Sequence, residues 1–403
     1  MLAWSPRAIW REEMMKYRKY GSAHKMFLAP LIIGALLFAN ASASAEDLPV
    51  IGPRPFIGYF KSTPIKGSLS VSAWGGATVG PRDQENGLED RTLGHWNYWD
   101  GVILKGVDGR YRLFGSRWEQ AKGHGDWWNS KAIEAISPSL LGPYRDTGLL
   151  WPDNDGGRGH NVIVLRLRDG TYAVVISETR DTSVFTSASI DGPWRLLGEI
   201  KVDQDAFHSL ANAGPGGGDL KGPNPKPWHG SNVNLVERPG GGFLMVQRSG
   251  QILLSEKHIL GPYRVMGDSI YRGLPGLPQF HLENLEDPVI WYSGGWYHIL
   301  VNHWEQRQAY HLISRNGITG WRMQGLAYRP EADFIRYTNG VVNHWNKLER
   351  PGVVLEKGHV VALTFAVIDV PKEDQTPGSH HGSKVIVVPF DGAAMDRDLS
   401  RIR

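Results

Sequence analysis

The chain has no cysteine among its 403 residues. Disulfides, thiolate nucleophiles and cysteine-ligated metals are therefore excluded together. A chain of this length can bury a core large enough to stand without cross-links. An exported protein of that kind suits a bacterial periplasm or exterior better than a small disulfide-held ectodomain. A long apolar span is also lacking. The uncharged run at residues 27–39, FLAPLIIGALLFA, is too short for a comfortable membrane-spanning helix. Lys16, Arg18, Lys19 and Lys25 precede it, and the small residues 41–45 (ASASA) follow it. This pattern predicts a secretory signal over residues 1–45, cleaved after Ala43-Ser44-Ala45, with a membrane anchor as the alternative.

Neither charge sign is in large excess. The whole chain carries 44 Lys and Arg against 41 Asp and Glu, a net of +3. Residues 1–45 hold six basic and two acidic residues, so the remainder has 38 against 39, a net of −1. The basic balance belongs to the leader, and no nucleic-acid partner is expected. Nor does a helical period of useful length occur after residue 50.

What the chain does have is glycine, proline, tryptophan and a repeat. Forty-nine Gly and 25 Pro fit many tight turns. Fourteen of the 16 Trp follow the leader, where they supply core volume or, beside a cleft, flat faces for sugar rings. One phrase recurs: a polar residue, a run of β-formers, a Gly-containing turn, then a second apolar run. It starts at Asp100, Asn161, Asn232 and Asp287, with a degenerate fifth copy at Arg350. The starts lie 61, 71, 55 and 63 residues apart (161−100, 232−161, 287−232, 350−287). A second marker follows the first four copies, as Gly142-Pro143-Tyr144, Gly192-Pro193-Trp194, Gly261-Pro262-Tyr263 and Gly320-Trp321.

Repeats of this length built from several strands predict an all-β, five-bladed β-propeller with four-stranded antiparallel blades. The propeller spans residues 95–403. Residues 46–94 form a lead-in whose alternating segment Ser68–Trp74 would close the ring as the outer strand of the last blade. Long loops at 119–130, 152–160 and 211–231 precede inner strands, and loops of that length are often functional.

In a propeller the inner strands converge on one channel. The repeat therefore gathers Asp100, His160 with Asn161, His229 with Asn232, Glu286 with Asp287, and Glu349 with Arg350 around one ring. Each also has a plainer reading. Asp100 suits a turn cap, Asp287 a strand-start acceptor, and Glu286 a neighbour turned away from the site. His160 and His229 suit solvated loops, and His303 a satisfied core residue. Arg248 and Arg350 suit structural partners of acids, or a fork for a carboxylate or sulfate on a substrate.

The carboxylate-opened blade, the Asp287-Pro288 dipeptide and phrases such as SASIDGPW resemble glycoside hydrolase family 43 and the related five-bladed families 32, 62 and 117. The resemblance covers roughly residues 95–392. It implies that Asp100 is a general base, that Asp287 orients the site, and that Glu286, two residues before Pro288, is the general acid. Glu283 or a histidine such as His281, His229 or His160 are the other candidates for the acid. In this sequence the second and third blades open with Asn161 and Asn232, where family 43 places carboxylates.

The expected function is secreted or periplasmic hydrolysis of a glycosidic bond in an oligo- or polysaccharide. Asp100, Glu286 and Asp287 are the catalytic candidates. His160, Asn161, His229, Asn232, Arg248, Glu283, His303 and Arg350 are candidates for binding substrate, which would be anionic if the arginines face it. Carboxylates on different blades favour the wide gap of an inverting enzyme, about 6.5–9.5 Å, over the 5–5.5 Å of a retaining one. No cofactor is required, and the resemblance allows a structural calcium in the central channel. A polysaccharide lyase acting on uronates, using His160, His229 and Arg350, and a sugar-binding propeller without catalysis are the rival readings. No membrane span is expected once the leader is removed.

Overall fold

The computed structural model describes residues 52–180, 182–203, 205, 228 and 230–402. The expected leader and His229 lie outside the described residues. Among those described, no helix is long and apolar enough to cross a membrane.

The repeat folds as its spacing predicts. A lead-in ribbon of β1 (Leu69–Ser70) and β2 (Arg82–Asp83) precedes the blades. Blade 1 holds β3 (Trp96–Lys105), β4 (Tyr111–Glu119), β5 (Lys131–Ser137) and β6 (Arg145–Leu149). Blade 2 holds β7 (His160–Arg166), β8 (Tyr172–Glu178), β9 (Ser183–Ser187) and β10 (Arg195–Glu199). Blade 3 holds β11 (Asn234–Glu237), β12 (Phe243–Val246), β13 (Ile252–Ser255) and β14 (Arg264–Val265). Blade 4 holds β15 (Leu285–Ser293), β16 (Trp296–His303), β17 (Gln308–Ser314) and β18 (Arg322–Tyr328). Blade 5 has β19 (Lys347–Glu356), β20 (His359–Ile368) and β21 (Ser383–Pro389). Within each sheet every strand pairs antiparallel with the next in sequence.

The apolar faces meet between blades. One buried cluster joins blades 1 and 2 through Phe114, Val164 and Trp194, and another joins blades 2 and 3 through Ile163, Met245 and Tyr263. Blades 3 and 4 share Leu244, Ile299 and Trp321. Blades 4 and 5 share Leu300, Tyr328 and Phe365, and blades 5 and 1 share Val387, Ile133 and Tyr144. The aromatic that ends the second repeat marker thus seals each blade against the one before it. Its preceding glycine turns the chain, with cis peptides at Gly142-Pro143, Gly192-Pro193 and Gly261-Pro262.

Ring closure departs from the sequence expectation. Residues 68–74 do not extend the last blade, because β1 pairs with β2 instead. Asp83 accepts from the backbone amides of Lys66 and Gly67, and Arg82 Nε donates to the Trp74 carbonyl at 2.7 Å, folding the ribbon onto itself. Leu88 takes the outer place in blade 5. It exchanges two backbone hydrogen bonds with Val385 of β21, at 2.9 and 3.0 Å. At the blade 5–1 seam the inner strands almost touch. A Cβ at Gly352 would lie 1.9 Å from the Gly101 carbonyl oxygen, so only glycine fits there.

A second departure is helical. Gly392–Ser400 form an α-helix capped by Asp391, whose side chain accepts from Ala394 N at 3.0 Å. Nine residues are too few for periodicity to announce a helix from sequence. Met395 and Leu399 bury its inner face beside Phe56 and Tyr59 of the lead-in.

Candidate active site

The five leading residues of the repeat share an uncommon backbone state. Asp100, Asn161, Asn232, Asp287 and Arg350 all have positive φ, between 48° and 61°. Non-glycine residues adopt this region rarely, and such residues cluster at functional sites. In β3, β15 and β19 the residue sits on a bulge. Asp100-Gly101, Asp287-Pro288 and Arg350-Pro351 each face a single residue of the next strand. A bulge re-aims a side chain, and here the side chains meet at the propeller axis.

They meet as one hydrogen-bonded ring. Arg350 Nη1 donates to Asp287 Oδ1 at 2.8 Å and to Asn232 Oδ1 at 3.0 Å. Arg350 Nε stands 3.3 Å from Asp100 Oδ1. Asn161 Nδ2 donates to the same Asn232 oxygen at 3.1 Å. Asp100 Oδ2 accepts from Val162 N at 3.2 Å and from the Ser116 hydroxyl. Asp100 and Asp287 therefore lie at the same end of the channel. Burial works against the Arg350 charge, but Asp287 and Asp100 outweigh it and hold its pKa above the ordinary arginine value.

Above this ring is a cavity of about 170 Å³, walled by residues from all five blades. The residues just before the leaders rise into it: Trp99, His160, Glu286 and Glu349. Asn161, Asn232, Asp287 and Arg350 form its floor, whereas Asp100 is only 2% exposed and does not line it.

Three glutamates line the cavity in different fields. Burial raises Glu286 to about 7, and neighbouring Asp287 and Glu349 add to the rise. Arg248 and Lys372 oppose it. Arg248 Nη2 is 3.5 Å from Glu286 Oε2. Burial likewise raises Glu178 to about 7, against a hydrogen bond from Ser231. Burial also works against ionised Glu349, but Lys372 and Lys347 prevail and hold it down at about 2. Lys347 Nζ is 3.3 Å from Glu349 Oε1, and Lys372 donates to Oε2. We assign Glu349 the lower pKa because two ammonium groups touch it, while Glu286 has one more distant guanidinium and two acidic neighbours.

Aromatic and imidazole rings also line the cavity. Loop 119–130 brings His124 and Trp127 to the cavity beside Trp99 and Trp118. His160 lies against Trp127, with ring centroids 4.9 Å apart. Its Nδ1 is 3.0 Å from the Ser130 hydroxyl, which donates to Gly159 O. His124 Nδ1 meets Gln375 Oε1 at 3.1 Å, so that nitrogen carries the proton. Burial lowers His160 to about 4 and His124 to about 3, so both rings are neutral above those values. Lys372 Nζ also lies 5.0 Å from the Trp99 ring centroid, a cation–π contact.

Not every sequence candidate arrives here. Glu283 is exposed and meets His281 at 3.2 Å, away from the cavity. His303 is buried in β16, accepts from Gln306 N at 3.2 Å and does not line the cavity. Arg248 does not line the cavity; it pairs with Glu286 and its charge also acts on Glu178. Sequence reasoning passed over Glu178, His124, Trp127 and Lys372, which come from a second strand and two loops without repeat register. The length of loop 119–130 was the one signal for His124 and Trp127.

One oxygen each of Glu286, Asp287 and Glu349 lies within 4.8 Å of the others. Glu286 and Asp287 are consecutive residues of β15, and Glu349 comes from the neighbouring blade 5. The spacing would let a cation bridge them, but Arg248, Arg350, Lys347 and Lys372 already accompany these carboxylates. Calcium seeks six to eight free oxygens, and this donor set does not fit it.

No family model matches the chain, and no curated protein matches it. Solved structures do. One is a family 43 β-1,3-galactosidase, at 14% identity and a TM-score of 0.43, covering 73% of this chain and 60% of that one. A Bacillus subtilis arabinanase matches at 12% identity and TM-score 0.45, covering 74% of this chain and 96% of that one. A family 117 glycoside hydrolase from the marine bacterium Zobellia galactanivorans matches at 12% identity and TM-score 0.48. It covers 83% of this chain and 90% of that one.

Proposed function

We propose that this propeller hydrolyses a glycosidic bond, with Glu286 as general acid and Glu349 as the ionised partner. One observation carries the reading: two carboxyl groups on neighbouring blades approach within 4.8 Å while their surroundings push their pKa values apart, to about 7 and about 2. Such separation is how a site divides acid and base roles between like groups. A glycosidase needs one carboxyl protonated toward the leaving oxygen and one ionised toward the anomeric carbon or its attacking water. The tryptophan wall supplies flat apolar faces for a sugar ring.

The short carboxyl spacing favours retention, with Glu349 as nucleophile, in place of the inversion expected from acids on opposite blades. Asp100 then acts from below. Together with Asp287 it fixes Arg350, and through Arg350 the floor on which the substrate rests. The lyase reading needs a cation free to neutralise a uronate. Arg350 is already shared among Asp287, Asp100 and Asn232.

The test is a glycan panel scored for released reducing sugar with the intact protein and with Glu286→Gln. Release by the first and its loss in the second is the expected outcome. An unsaturated product absorbing in the near ultraviolet would select the lyase. Binding without turnover would select a sugar-binding module.

A further inference from the structure

Two histidines line the cavity, His124 and His160, and hydrogen bonds fix which nitrogen of each carries the proton. The first chain of bonds starts at a backbone carbonyl, which can only accept. Gln120 Nε2 donates to His381 O at 2.6 Å, so Gln120 Oε1 points the other way. That oxygen accepts from Gln375 Nε2 at 3.2 Å, and Asn97 Oδ1 accepts from the same nitrogen. Gln375 Oε1 is therefore left for His124 Nδ1, at 3.1 Å, and Nδ1 is the donor. The second chain is shorter. The Ser130 hydroxyl gives its one proton to Gly159 O at 3.0 Å, so its oxygen accepts from His160 Nδ1, also at 3.0 Å. Gln120, Gln375, Asn97 and Ser130 are all buried.

A neutral imidazole has one ring proton, and here Nδ1 holds it in both rings. Burial lowers His124 to about 3 and His160 to about 4, so both stay neutral at pH 7. Nδ1 is tied to buried groups, which leaves the Nε2 edge for the cavity. Neither Nε2 has a hydrogen-bond partner among the described residues. Trp118 stands steeply inclined to both rings, with centroids 5.4 and 5.9 Å away. We infer that His124 and His160 are a pair of hydrogen-bond acceptors for sugar hydroxyls, and that Gln375 and Ser130 are the positioning residues that hold them in that role. This deepens the hydrolase reading and rests on it for the ligand being a sugar. A hydroxyl brings the proton that Nε2 lacks. A carboxylate, sulfate or ether oxygen at the same place brings only lone pairs and leaves a buried acceptor unpaired. The pair thus selects by hydrogen-bond polarity, the kind of contact that rejects an analogue lacking the donor.

Nuclear magnetic resonance of the full chain, labelled with nitrogen-15 at histidine, reads the tautomers at pH 7, because a protonated ring nitrogen and a bare one differ widely in shift. Signals lost in His124→Phe and in His160→Phe assign the two rings. Both should show Nδ1 protonated and Nε2 bare. Gln375→Leu should mix the tautomers of His124 alone, and Ser130→Ala those of His160 alone. Ser130→Thr keeps the hydroxyl and should keep the His160 tautomer. A Gln375 or Ser130 that only supports the fold would move neither. The probes are the methyl β-glycosides of galactose, xylose, glucose and mannose, and their analogues with fluorine in place of one hydroxyl, which carries no proton there. At least one parent glycoside should move both Nε2 signals, and fluorine at one particular hydroxyl should abolish the movement of each. Gln375→Leu and Ser130→Ala should each weaken that glycoside about three- to tenfold, because the accepting tautomer is then only part of the population. A protonated Nε2 in either ring, with reducing sugar still released from the glycan panel, overturns this inference and leaves hydrolysis standing. Bare Nε2 atoms moved by a glycoside, with no sugar released from the panel, keep the acceptor pair and overturn hydrolysis. Nε2 signals that no glycoside moves, or that every fluorinated analogue moves as its parent does, overturn the acceptor pair.

Discussion

Glu286 and Glu349 present oxygens within 4.8 Å of each other, yet Lys347 and Lys372 touch Glu349 while Arg248 alone approaches Glu286, at 3.5 Å. The same cations that hold Glu349 ionised leave its partner to keep a proton near neutrality.

That asymmetry assigns separable roles. Glu286→Gln should lower kcat by the 10²- to 10⁴-fold, roughly, that general acid catalysis supplies. A dinitrophenyl glycoside needs no protonation of its leaving group, so it should recover most of that loss. The same substrate should not rescue Glu349→Gln. Equal rescue of both variants would cancel the assignment.

Activity should fall as pH rises through about 7, where Glu286 gives up its proton, and should hold down toward the value of about 2 at which Glu349 takes one up. Lys372 lowers both groups, so Lys372→Met should move both limbs of the profile upward, by about one pH unit. The pH–rate profile of the variant measures this, and unmoved limbs would count against either role. Stability follows with its own sign. The folded pKa of Glu286 is raised, so its stabilising contribution is complete below its ordinary value of 4.5 and is lost as pH rises through about 7. Urea unfolding should therefore show Glu286→Gln gaining on the parent between pH 4 and pH 8.

Arg350 holds the channel floor together. Arg350→Ala leaves Asp100 and Asp287 buried without their cation, and should cost about 3–5 kcal/mol in urea unfolding. Arg350→Lys keeps the charge but cannot fork between two carboxylates, and should fall between the two. Pairing Arg350→Met with Asp287→Asn should recover part of the loss. A cost below about 1 kcal/mol for Arg350→Ala would mean that the ring contributes little.

A second imidazole pair, distant from the site, sets an acid limit on the fold. His298 and His311 are fully buried in blade 4, with Nδ1 of the first 3.0 Å from Nε2 of the second. Trp291 stacks on His298 with centroids 4.8 Å apart, and Phe56 lies 4.6 Å from His311. Ser293 links His298 to Asp396, which also binds His359. Burial lowers His298 to about 3 and His311 well below its ordinary value. The depressed pKa values mean stability is present above 6.5 and lost as pH falls below it, by up to about 1.4 kcal/mol per pH unit for each histidine. The double variant His298→Gln, His311→Gln should start less stable at pH 7 and lose less between pH 6.5 and pH 4. An unchanged slope would place the acid sensitivity elsewhere.

Blade number, strand order and the axial convergence of Asp100, Asn161, Asn232, Asp287 and Arg350 were legible because a repeat preserves register, and register fixes which way a side chain faces. The bulges were not legible. In β3, β15 and β19 they turn the leader toward the floor and lift the residue before it into the cavity, so Trp99 faces it where the phrase pointed to Asp100. Lys372 and His124 come from loops that no period governs. Gln375 clips those loops together by bonding His124, Gln120 and Asn97. The lead-in was misread because alternation over Ser68–Trp74 does not say which edge a strand will find. Asp83, some ten residues on, bends that segment back on itself.

Phe60 forms a backbone bridge with Phe390, the residue after β21, and Leu88 binds β21 through Val385. Both ends of the propeller are thus moored to one blade. A pull applied between residues 60 and 390 loads that seam first and bypasses the other four blades. The fold opens under tension as a clasp does, at its fastening, and a tether through both ends would leave the cavity unloaded.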